Sequence, residues 1–123
     1  MRSSLASALA AGAVLAALCS PASSSTLGWK CRFAGGENVE FVAKLGAREG
    51  KSITDRATTD TLVHDGPGAV SFFEPLPTGA GTLTTIVLST GEASRSRNTV
   101  TSLESGAFLA IQTMGKCEVV QAP

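Results

Sequence analysis

Cys31 and Cys117 stand 86 positions apart, one near the start and one near the end of the chain that follows an N-terminal apolar run. A disulfide between them requires backbone positions within about 7 Å of each other. The first and last structural elements must then be neighbours in space. In the chain-entropy account a loop of this length contributes up to about 4 to 5 kcal/mol, less whatever native strain subtracts.

Whether these two form a pair depends on the third cysteine, Cys19. Arg2 is the only charge before an apolar run from Leu5 to Leu18, and "CSPASSS" follows, the three-part layout of a secretory signal peptide. The run is shorter than the roughly 20 apolar residues of a membrane-spanning helix. Ser20-Pro21-Ala22 places small residues where cleavage after Ala22 needs them, so residues 1–22 read as a signal peptide and 23–123 as a single β domain. Lipid attachment at Cys19 would need a small residue before it, and Leu18 stands there. Cys19 is therefore expected to leave with the leader, with no stable membrane anchor. Cys31 and Cys117 remain as an even pair in an oxidising compartment, periplasmic or secreted.

The mature part is one domain by length, and such a chain buries about 60 to 70% of its unfolded surface. Ten basic residues balance ten acidic ones, and loss of Arg2 leaves a net charge of −1. Neither nucleic acid nor an anionic membrane is an expected partner.

Strand periodicity runs through the domain. "LGWKCRF" alternates, with Leu27, Trp29, Cys31 and Phe33 on one side. After the turn "AGGEN", "VEFVAKL" alternates through Val39, Phe41, Ala43 and Leu45; a short amphipathic helix is the competing reading, and position after a turn and a strand favours a hairpin. Gly46 to Arg56 is polar and Gly-punctuated and reads as a loop carrying Arg48, Lys51 and Arg56. Thr58 to His64 and Ala69 to Glu74 follow as strands, the second ended by "PLP" because proline cannot donate to a ladder. "TLTTIVLSTGEASRSRNTV" is the clearest hairpin, Thr82 to Ser89 and on to Val100 around Thr90-Gly91. A last strand, Ala107 to Met114, leads to Cys117. The expected fold is all-β: a small antiparallel barrel or sandwich of about seven short strands, its N- and C-terminal strands joined by the disulfide. Leu27, Trp29, Phe33, Phe41, Ile86, Leu88, Leu109 and Ile111 are the expected core.

Few residues suggest catalysis. His64, the only histidine, adjoins Asp65 in a turn, where it reads as exposed rather than as a general base oriented by a carboxylate. No G-x-S-x-G elbow is present, and the disulfide removes the free thiols. One histidine and two bridged cysteines do not make a zinc set, and no EF-hand, Walker or dinucleotide pattern occurs. No cofactor and no metal are expected. "SRSRN" sets Arg95 and Arg97 two apart on a strand and so on one face, flanked by Ser and Thr, an arrangement suited to a carboxylate or phosphate. The preferred reading is a solvated strand face whose charges blunt a sheet edge.

The stretch "LTTIVLSTGEASRSRNTV" followed by "GAFLAIQTMGKC" resembles the C-terminal half of short exported single-disulfide β proteins of alphaproteobacteria, which implies compartment and fold without naming an activity. "WKC" and "GKC" are similar to the opening and closing strands of periplasmic inhibitors of c-type lysozyme, small single-disulfide β-barrels. That family presents a Ser-Gly loop ending in Tyr to the lysozyme cleft. Ser105-Gly106-Ala107-Phe108 is the nearest match, lacks the Tyr and lies closer to the final cysteine, so the family's binding residues do not transfer. The expected function is a non-catalytic binding role in the cell envelope, with an envelope or secreted protein as partner and the protein itself a monomer or weak oligomer. Arg95, Arg97, Ser105 and Phe108 are the candidate contact residues. The alternatives are a lysozyme-inhibitor-like protein and a small periplasmic hydrolase.

Overall fold

The computed structural model describes residues 26–44, 46, 48–102 and 104–121; the signal-peptide reading and Cys19 lie outside them. Eight strands follow one another: β1 (Thr26–Phe33), β2 (Asn38–Lys44), β3 (Glu49–Ile53), β4 (Thr58–Asp65), β5 (Ala69–Pro75), β6 (Gly81–Val87), β7 (Glu92–Ser102) and β8 (Ala107–Gln121). Each pairs antiparallel with the next, and β8 pairs back onto β1 to close an up-and-down barrel. Closure leaves most backbone groups paired and, apart from the stretch of β8 that outruns β1, removes the open edges that a flat sheet of this size would carry.

Cys31 and Cys117 are direct register partners across β1 and β8 and form the expected disulfide, with Cα atoms 4.0 Å apart. The amide of Cys117 donates away from β1, to the carbonyl of Gly91 at 2.7 Å. The pair thus occupies a non-hydrogen-bonded position of the β1–β8 ladder, where facing residues come closest.

The period-two pattern decides what lies inside. Trp29, Cys31 and Phe33 from β1, Val39, Phe41 and Ala43 from β2, Val63 from β4, Val70 and Phe72 from β5, Ile86 from β6, Ala93 from β7 and Cys117 from β8 form one buried cluster. Phe72 packs edge-on to Trp29 at 5.7 Å and tilted on Phe41 at 4.8 Å between ring centroids, the offset geometries that ring quadrupoles favour. An eight-stranded barrel is just wide enough for its own side chains to fill.

Three expectations need correction. The strand count is eight, because β3 lies inside the stretch read as a loop. β3 turns Gly50 and Ser52 toward the interior, and these carry no apolar period. A Cβ on Gly50 would stand 2.7 Å from Val63 Cγ2, so a larger residue has no room there. Leu88, Leu109 and Ile111 are exposed rather than core. Leu88 falls in the β6–β7 turn. Leu109 and Ile111 sit on a part of β8 that runs past the barrel wall: β8 pairs with β7 from Ala107 onward, but with β1 only from Gly115.

Candidate functional site

Strand direction sorts the loops onto two ends of the barrel. Residues 34–37, 54–57, 76–80 and the β7–β8 tip share one end, here the upper mouth. The strands beneath this mouth carry polar residues at their inward positions: Ser52 on β3, Glu74 on β5, Thr82 and Thr84 on β6, Arg95 on β7, all buried.

Ser52, Glu74, Thr84 and Arg95 form one network centred on the Arg95–Glu74 pair. Arg95 Nη1 donates to Glu74 Oε2 at 3.0 Å and to Thr84 Oγ1 at 3.0 Å, and Ser52 Oγ donates to the other Glu74 oxygen at 2.6 Å. Arg95 Nε lies 3.0 Å from Glu37 Oε1, which enters from the β1–β2 connection. The guanidinium carbon stands 5.8 Å from the ring centroids of both Phe33 and Phe41, so the cation closes the aromatic core from above. Buried charge is tolerated where it is paired, and Arg95 is paired with both Glu74 and Glu37.

Arg95 and Arg97 do share a face, as their spacing requires, but the face is the barrel interior and mouth. The solvated-strand reading is therefore wrong for Arg95, whose side chain is 6% exposed against 49% for Arg97. Arg97 reaches Glu37 at 3.9 Å and stays half in water. Above it, the register pairs Arg97 with Ile111 and Thr99 with Leu109, so two exposed apolar side chains continue the same face beyond the mouth.

The other candidates lie further out on this ribbon. Ser105 is exposed in the tip turn, where its amide donates to Ser102 Oγ at 3.3 Å. Phe108 is 67% exposed on the opposite face of the ribbon from Arg97. The structure thus gathers Arg95 and Arg97 at the mouth and holds Ser105 and Phe108 apart from them. Glu37, Ser52, Glu74 and Thr84 were missed by sequence reasoning. A signal existed for Glu74, an acid at an inward position of the alternating strand "AVSFFEP".

His64 is exposed on β4 and faces Ser71 in the β4–β5 register. The Ser71 hydroxyl is shared with Thr85 Oγ1 at 2.9 Å, and no hydrogen bond joins it to His64 among the described residues. On the outer wall, a shallow depression of about 700 Å³ spans β8, β1, β2 and β3. Its rim alternates Lys30, Arg32 and Lys116 with Glu40, Asp55 and Glu118, which gives no net sign for a charged ligand to read. No group of three or more metal-ligating side chains occurs among the described residues.

Compared with protein-family models, with curated proteins and with solved structures, the chain has no significant match.

Proposed function

We propose that the protein is an exported, non-catalytic binding module of the cell envelope whose recognition element is the β7–β8 ribbon. One observation supports this above the others. The barrel interior is occupied by its own side chains, whereas Phe108, Leu109, Ile111 and Met114 stand exposed on a ribbon that leaves the barrel wall. Large apolar groups clustered in this way are a usual mark of an interaction surface. Export is supported by the leader-like first segment and by the disulfide, which an oxidising compartment maintains.

The test is affinity capture from a cell-envelope extract with the mature protein beside a Phe108→Ala variant. A partner retained by the first and lost by the second is the expected result. Equal retention by both, or none by either, retires the reading. Intact-mass analysis of protein recovered from the envelope should find a chain beginning at Ser23; a cytoplasmic, full-length product would remove the export half.

A second reading draws on the placement of Ser105 and Gly106 in an exposed turn of a single-disulfide barrel, the architecture of the lysozyme inhibitors that the end motifs resemble. Mature protein that slows cell-wall lysis by a c-type lysozyme would support it. No inhibition at a large molar excess ends it.

A further inference from the structure

The part of β8 between Ala107 and Thr113 is paired on one side only. Its β7 side is filled by a continuous ladder from Lys116 to Ala107, with an irregularity between Val100 and Ser102. On the other side the β1 ladder stops at Gly115, and the last bond is the amide of Ala34 donating to the carbonyl of Met114 at 2.9 Å. A residue in an antiparallel strand points its N–H and C=O to the same side, and neighbours alternate. Phe108, Ala110 and Gln112 therefore direct both backbone groups to the side that β1 has left, where no ladder partner occurs among the described residues.

Open edges in monomeric proteins are usually blunted by charge, proline or a bulge. This one has no such guard. No charged residue and no proline lies between Glu104 and Lys116, and Phe108, Leu109 and Ile111 leave both faces of the strand apolar and exposed.

We propose that this edge pairs antiparallel with the same edge of a second copy of the chain, about a two-fold axis at Ala110. The backbone fixes the register. Ala110 faces Ala110 in a hydrogen-bonded pair, and Phe108 faces Gln112 in the next, so every outward N–H and C=O of the three residues finds a partner. The same register sets Leu109 against Ile111 on one face and places the small Ala110 at the axis, where two identical side chains meet. Charge also agrees. Arg32 and Lys116 are direct neighbours at the inner end of the open edge, and pairing brings Glu104 of one tip toward Lys116 of the other copy. The product is a four-stranded β7-β8-β8-β7 sheet joining two barrels, an isologous interface of the commonest symmetry. An interface this narrow falls in the small, transient class, so association depends on concentration. The inference rests on the fold and not on the binding reading above.

The experiment is sedimentation of the purified mature protein, with no partner added, from about 1 µM to about 1 mM. The expected result is a mass rising from one chain to two, weakened at least tenfold by Ala110→Pro, which removes an outward N–H and leaves the β7 ladder intact. Ala110→Cys should oxidise to a covalent dimer, since facing hydrogen-bonded positions lie about 5.5 Å apart. A single-chain mass throughout overturns the proposal. So does a dimer that is indifferent to Ala110→Pro and leaves Cys at 110 unbridged. If the proline variant fails to fold, amide exchange of the unaltered protein decides: slowing with concentration at Phe108, Ala110 and Gln112, but not at Leu109 and Ile111, supports it, and no slowing refutes it.

Discussion

Arg95 and Glu74 meet inside the barrel at 3.0 Å, one from β7 and one from β5, with β6 between them. The strand that separates them supplies Thr84 as a third member, and β3 supplies Ser52 from across the interior. Through Ser52 the network therefore links β7 to β3 across the upper mouth and stands between the aromatic core and water.

Removing Glu74 leaves the buried Arg95 with only the half-exposed Glu37 as a counter-charge. Glu74→Ala should lower unfolding free energy by about 3 to 5 kcal/mol, measured by urea denaturation. Glu74→Leu combined with Arg95→Met should cost less than Glu74→Leu alone, because no buried cation is then left with one of its two carboxylates missing. A double variant as unstable as the single one would mean that the network stabilises by more than charge pairing.

Arg97 offers the contrast two residues along. Its side chain is half exposed and its one carboxylate contact among the described residues, with Glu37, is at the limit of ion pairing. Arg97→Ala should change stability by less than about 1 kcal/mol, which makes it a clean probe of any partner that reads the mouth. Arg95→Ala should unfold the protein at markedly lower denaturant, so loss of binding in that variant would carry no information about contact.

The disulfide reinforces a ladder that already exists. Replacing Cys31 and Cys117 together by Ala should cost about 2 to 5 kcal/mol while keeping the strand order. Amide exchange should then rise first along β1 and β8. Uniform acceleration across all strands would indicate that the barrel opens as one unit and not at its closing seam.

Two turn glycines should respond differently to the same change. Gly91 and Gly79 both have positive φ, at 78° and 95°. A Cβ on Gly91 would stand 2.3 Å from the carbonyl oxygen of Cys117, whereas nothing lies within 4 Å of one on Gly79. Gly79→Ala carries only the left-handed backbone penalty of about 1 kcal/mol. Gly91→Ala should cost clearly more, read as a lower thermal midpoint, because the turn must move away from β8.

Much of this barrel was legible before any coordinates. Trp29, Cys31 and Phe33 alternate with the charged Lys30 and Arg32, and Val39, Phe41 and Ala43 with Glu40 and Val42; each set lies inside as its period requires. β3 escaped because its inward residues are Gly50 and Ser52, so the strand has no hydrophobic signature and is held by its neighbours' ladders. The mouth escaped for a related reason. Arg95 looks like any strand cation in sequence, and nothing local says that Glu37, Glu74, Ser52 and Thr84 converge on it from four other strands and connections.

Leu109 and Ile111 show the limit from the other direction. Their apolar character suggested burial, yet burial depends on whether a facing layer exists, and β8 outruns β1 by the stretch that carries them. Local alternation and the cysteine pair determined the strand class, the inward faces and the meeting of first and last strands, because those follow from a two-residue period and a covalent reach. Which face became a charged interior, which strand lost its partner and where an edge was left open were decided by the relative lengths and register of strands distant in sequence, and only their assembly sets those.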